Sequence, residues 1–324
     1  MKNVLFITVS FIIIISGCKK NDNSVSTNQN EQYDSLWVQI NSQMTIRSFA
    51  VNGNNIYAAG GKGGVYLSSD NGSNWSLINN GLPTNEYVLD IMIKDNNILV
   101  GTQGSGVFRS TNNGSSWTAV NNGFVAYGGG IEVFALASNG NNIFAGNYST
   151  GAFLSTDNGS SWTQIKNGFR TYSYITSFAF IGNNVFATDY DGGGVYLSTN
   201  NGSIWSPVNN GLTNTEVTSL ATNGNNMFVG TYGSGIFRST NNGTNWNSVN
   251  TTLTDSIVVW SLTIKDNNVF AATKKRGAFL STNNGTTWNT FNSGFPANIT
   301  VSSFLIYGNK IFAGTEEGLW KRSL

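Results

Sequence analysis

From residue 46 onward, short apolar runs alternate with clusters of Asn, Gly and Ser, and no stretch keeps a helical period. Segments 46–51, 55–60, 64–69 and 74–79 read as four strands separated by the turn signals Asn-Gly-Asn, Gly-Lys-Gly and a Ser-Asp-Asn-Gly cluster. The pattern then returns. Six segments align without gaps, at 68–75, 110–117, 155–162, 198–205, 239–246 and 281–288, each ending in Trp. Gly-aliphatic-aromatic precedes each, as in Gly64-Val65-Tyr66, and Asn-Gly-Leu or Asn-Gly-Phe follows most of them. Four short antiparallel strands per unit, repeating every forty-odd residues, predict the blades of a β-propeller.

The aligned segments have the chemistry of a hairpin turn. Asp70 or Asn112 can bond its own backbone a residue or two on, and the Gly two positions later takes a left-handed conformation without a Cβ clash. Trp75, Trp117, Trp162, Trp205, Trp246 and Trp288 then cover the turns. The pattern Ser-x-Asp-x-Gly-x-(Ser/Thr)-Trp resembles the Asp-box, or BNR repeat, of a family of β-propellers. Asp70 and Asp157 keep the family's aspartate, while Asn112, Asn200, Asn241 and Asn283 replace it and keep the acceptor oxygen. In that family the box is a fold element, and it is read so here.

The two ends decide the blade number. Residues 318–323 match a third strand, but the chain then stops, and residues 36–41 match a fourth strand with no blade before it. Joining them completes a seventh blade and hides two strand edges. The expectation is an all-β, single seven-bladed propeller over 35–324, with four antiparallel strands per blade and the last blade closed by both termini.

Composition narrows the chemistry. With no His and a single Cys, the chain holds no Ser-His-Asp triad, disulfide framework or Cys-cluster metal site. A net charge of +1 gives no electrostatic footprint for nucleic acid. Neither a cofactor nor a metal is expected. Asp189-Tyr190-Asp191-Gly192, faintly like a calcium loop, reads as a tight turn.

The first residues form an address. Lys2 precedes an apolar run at 4–15, too short to span a bilayer and suited to a signal-peptide core. Ile15-Ser16-Gly17-Cys18 resembles the bacterial lipobox, which implies cleavage of 1–17 and lipidation of Cys18. Residues 18–34 then form a flexible tether. Lys19 does not match an Asp-type retention signal, so the expected location is the cell envelope, at the outer membrane.

Strand walls are scaffold, so recognition falls to loops. The loops joining second to third strands and those joining successive blades leave on one face. Candidate ligand-binding residues there are Tyr87, Tyr127, Tyr148, Tyr172, Tyr174, Asp189, Tyr190, Asp191, Tyr232, Lys274, Lys275 and Arg276. Such an aromatic, polar rim suits peptide docking or sugar stacking. The family includes sialidases, but this chain lacks their arginine cluster. It also includes glucan hydrolases that use two facing aspartates, which Asp189, Asp191, Glu216, Glu132 and Glu316 could supply. Sortilin-type receptors and the photosystem II assembly factor use similar propellers to hold peptides or proteins. The reading carried forward is a monomeric, non-catalytic, lipid-anchored binding or assembly protein for a protein, peptide or polysaccharide. A glycoside hydrolase or sialidase-like lipoprotein is the alternative.

Overall fold

The computed structural model describes residues 35–324 apart from 62, 251, 252, 254 and 255. The lipobox, Cys18 and the tether lie outside the described residues. Seven four-stranded antiparallel sheets follow one another, and no helix occurs among the described residues. Blade 1 is built from Ile46–Asn52, Asn55–Gly60, Gly64–Ser68 and Ser76–Leu77, close to the predicted spans. Only the fourth strand is markedly shorter than expected. Asp70 holds its first residues through the N–H of Asn74, and the Asn79 side chain closes its far end by accepting Val65 N–H.

First strands form the inner ring, each packed on the first strand of the next blade and the seventh on the first. Second strands such as Asn55–Gly60 are buried almost throughout, because neighbouring blades cover both of their faces. That double coverage explains their unbroken apolar runs.

Closure follows the predicted route. Val38–Asn41 pairs antiparallel with Gly318–Ser323, placing Gln39 opposite Trp320, and so completes the sheet begun by Val301–Tyr307 and Lys310–Thr315. Trp37 is 2% exposed and stacks on Phe295 at 4.5 Å, while Trp320 meets Phe295 edge-on at 5.3 Å. Both tryptophans therefore share one sector.

The box turns reach further than a simple Asx turn. Asp70 Oδ1 accepts the N–H groups of Ser73 and Asn74, three and four residues on, together with the Ser68 hydroxyl. Asn112 reproduces this with Ser110 Oγ and Ser116 N–H, so the amide does preserve the turn. Asn71 and Gly72 are both left-handed (φ 58° and 79°), which is why an Asn-Gly pair recurs at this point.

Each tryptophan also latches its blade to the one before. Trp117 donates its backbone N–H to Asn80 and its indole N–H to Ile78, and Trp162, Trp205 and Trp246 repeat both bonds. The glycine after that Asn must lack a side chain: a Cβ on Gly123 would lie 1.9 Å from the Trp162 carbonyl oxygen. One junction departs from the rule. The link from Trp37 to Ile46 is four residues shorter than that from Trp75 to Val88, and the buried Trp75 Nε1 has no acceptor.

Candidate functional site at the channel mouth

Every inner strand carries a β-bulge near its start, where Ile46/Ser48, Val88/Asp90 and the equivalent pairs break register. A bulge turns extra side chains toward the axis. Arg47, Phe134 and Trp260 are the large side chains so placed, and they help line a central cavity of about 840 Å³. Tyr87, Gln103, Tyr174 and Tyr190 line it as well, which places its mouth on the loop face predicted from the sequence.

The tyrosines are organised. Tyr148 meets Tyr174 at 5.2 Å, Tyr174 meets Tyr190 at 5.5 Å, Tyr190 meets Tyr232 at 5.7 Å and Tyr232 meets Trp260 at 5.9 Å. All four contacts are edge-to-face, the geometry favoured by the ring quadrupole. Phe134 joins at Tyr174 (4.4 Å), so the arc runs over blades 3 to 6. Lys274 ends it, with its ammonium 5.4 Å from the Tyr232 ring, 5.9 Å from the Trp260 ring and 3.4 Å from the Tyr232 hydroxyl. Burial raises the pKa of Tyr174, and the charge of Glu132 adds to it. Tyr190 is raised too, first by burial and then by Tyr232, Glu216 and Asp191. Both phenols are therefore neutral donors at neutral pH.

The other predicted residues are distributed around this arc. Tyr127 and Tyr172 are more than half exposed and touch each other at 6.2 Å on the outer rim. Tyr87 is 40% exposed in the loop between blades 1 and 2. Asp191 is exposed and its carbonyl accepts from Arg170; Lys275 and Arg276 are exposed beside Lys274.

Asp189 is placed differently from its expected position on the open rim. Its side chain is fully buried, and Oδ1 accepts the N–H groups of Tyr174 and Asp191. Burial raises its pKa against those bonds, the Ser173 hydroxyl and the Arg170 charge. Thr102, Thr231, Thr273 and Thr315 occupy the same strand-end position in other blades and bond their own loops. Asp189 is thus a loop fastener in the blade where Tyr174 and Tyr190 meet. The threonines at equivalent positions were the sequence signal for that role.

One residue escaped the loop-based reading altogether. Asp90 lies within the first strand of blade 2 (Val88–Lys94), just past the bulge, where other blades carry Ser48, Ala135, Ser177, Ser219, Ser261 and Ser303. Its Oδ1 accepts the Ser48 hydroxyl (2.6 Å) and the Ile91 N–H (2.9 Å), and Oδ2 accepts the Leu136 N–H (2.7 Å). Desolvation nevertheless pushes its pKa up to about 6. The signal was a carboxylate in a strand position otherwise given to serine or alanine. Among the described lining residues Asp90 is the sole carboxylate and Arg47 the sole cation, and no group able to hold a metal occurs among the described residues.

Fold and site together define a seven-bladed β-propeller whose central cavity opens through an aromatic arc. Comparisons place it among known propellers. A family described as the DUF6242 beta propeller domain matches residues 178–317. No curated protein sequence matches the chain. YCF48 from Cyanidioschyzon merolae is similar in structure, with 15% identity, TM-score 0.68 and coverage of 89% of this chain and 98% of that one. A structure titled YCF48 bound to D1 peptide gives 15% identity, TM-score 0.69 and coverage of 89% and 96%. The GH74 xyloglucanase from Xanthomonas campestris gives 14% identity and TM-score 0.69 over 89% of this chain, which spans about half (53%) of the enzyme. At these identities the likeness is one of fold.

Proposed function

We propose that this chain is a lipid-anchored binding protein of the cell envelope that holds a polypeptide segment at the channel mouth. The observation that carries the reading is the continuous edge-to-face arc from Tyr148 to Trp260, closed by Lys274. Rigid aromatic side chains present large contact area at small entropic cost, and phenol hydroxyls are donors to backbone carbonyls. The likeness in fold to YCF48, one structure of which is titled as bound to D1 peptide, is in keeping with a peptide ligand. The Asp-box-like repeat, the lipobox-like segment ending at Cys18 and an outer-membrane position belong to the same proposal.

The glycan-active alternative has less support. Hydrolysis by paired carboxylates needs two of them about 5–10 Å apart, whereas the cavity wall presents Asp90 alone and Asp189 is buried. A peptide array and a glycan array probed with the purified chain separate the two readings. Retention on peptides, lost in Tyr190→Ala and Trp260→Ala, is the expected result. Retention on glycans alone, or release of reducing ends, overturns the proposal. Membrane fractionation of Cys18→Ser tests the anchor.

A further inference from the structure

The inner strand of each blade has an open edge toward the axis, so its unpaired backbone groups face the cavity. Asp90 answers two of them, in two different blades: the N–H of Ile91 beside it and that of Leu136 in blade 3. With the Ser48 hydroxyl, these bonds occupy two acceptor positions on Oδ1 and one on Oδ2. One acceptor position on Oδ2 is left over. Its negative charge has no cationic partner, the single ion pair among the described residues being Lys94–Asp95 on the surface. An unpaired carboxylate in a partly desolvated wall is costly to keep, and a cation entering the cavity would relieve that cost.

The surroundings specify the kind of cation. Phe134 and Tyr174 line the same cavity, offering apolar faces to an alkyl stem and quadrupoles to its charged head, while the Trp260 ring already faces the Lys274 ammonium. A guanidinium seeks both carboxylate oxygens at once, while a primary ammonium needs only one free acceptor. Arg47, the other charged lining residue, stands on the exposed part of the wall, where its charge acts on Tyr174. Its charge opposes the entry of a cation, so its removal favours a lysine probe.

We propose that the channel takes the ammonium group of a lysine side chain from a polypeptide ligand and seats it against Asp90. This inference rests on the polypeptide reading above and specifies what that polypeptide must carry.

The test uses fluorescent, end-capped decapeptides alternating Gly with Lys, Gln or Arg, titrated by anisotropy into the purified full chain at pH 7. The net charge of +1 removes bulk attraction as an explanation for binding a cationic probe. The lysine probe should bind at least tenfold tighter than the other two. Asp90→Asn should abolish that margin, and Arg47→Ala should widen it severalfold. Wild-type affinity for the lysine probe should fall as pH drops from 7 to 5. Asp90 is the sole carboxylate among the described residues that line the cavity. Glu132 and Glu216 act on the arc from the inter-blade loops, so the acid step must also vanish in Asp90→Asn. If that variant fails to fold, Asp90→Ser, the residue that most other blades carry at this position, takes its place. Equal binding of lysine and glutamine probes, or a lysine margin that survives at Asp90→Asn, overturns this inference and leaves the polypeptide reading standing. Failure of every probe to bind overturns both.

Discussion

Trp37 donates its indole N–H to the carbonyl of Phe291 at 2.6 Å, across 254 residues of chain. The bond repeats, at the closing blade, the one that Trp117 makes to Ile78. The closing strand is thus held like an ordinary member of the repeat, and the Trp37 backbone N–H is taken by Ser293 as those of Trp117, Trp162, Trp205 and Trp246 are by Asn. Replacing Trp37 by Ala should cost about 3–5 kcal/mol, the range for a buried large aromatic. Trp75→Ala should cost less, because Trp75 is only partly buried and its indole N–H has no acceptor. Chemical denaturation of the two variants measures the difference, and equal losses would contradict the closure account.

Glycines divide into two kinds that denaturation should separate. Gly123→Ala sets a Cβ into the Trp162 carbonyl and should destabilise by about 3 kcal/mol or more. Gly140 is also left-handed (φ 57°), but nothing lies within 4 Å of an added Cβ. Gly140→Ala should therefore show only the backbone penalty of about 1–2 kcal/mol.

Acid should reveal two opposed groups of carboxylates. Asp70 is lowered to about 2 by the Asn74 backbone and side chain first, and Asp157 to about 2 by Ser161 first. For such depressed groups the stabilisation is present above the unfolded carboxylate value near 4 and is lost as pH falls toward 2. Asp90, raised to about 6, behaves oppositely: it favours the folded state below about 4, and that contribution is lost as pH rises through 6. Urea midpoints from pH 2 to 7 should fall at the acid end in wild type and fall less in Asp70→Asn/Asp157→Asn. The decline from about pH 4 to 6 should be absent in Asp90→Asn.

On the rim, Lys274→Met should weaken retention of the uncharged glutamine probe severalfold with little change in Tm. Its ammonium contacts the Tyr232 and Trp260 rings at the open mouth and forms no ion pair among the described residues. A loss of stability above about 1 kcal/mol would instead make it a structural residue.

Local pattern sufficed for the scaffold. The spans of the first three strands, the positions of the box turns, the blade number and the joining of 36–41 to 318–323 all follow from residues that repeat at a nearly fixed interval. Each blade solves the same packing problem, so each carries the same apolar runs and the same Asn-Gly turns. The location of the tyrosine face was also legible, because alternate loops of an antiparallel meander must leave on the same side. What the tyrosines do to one another was not. The arc from Tyr148 to Trp260 joins residues over a hundred positions apart, and only the ring closure of the blades brings them into edge contact. The roles of Asp189 and Asp90 were likewise decided by tertiary structure. Sequence placed Asp189 in a loop and did not single out Asp90, because burial depends on which blades lie across the boundary. The fold turned the loop aspartate inward as a fastener and the strand aspartate onto the channel wall.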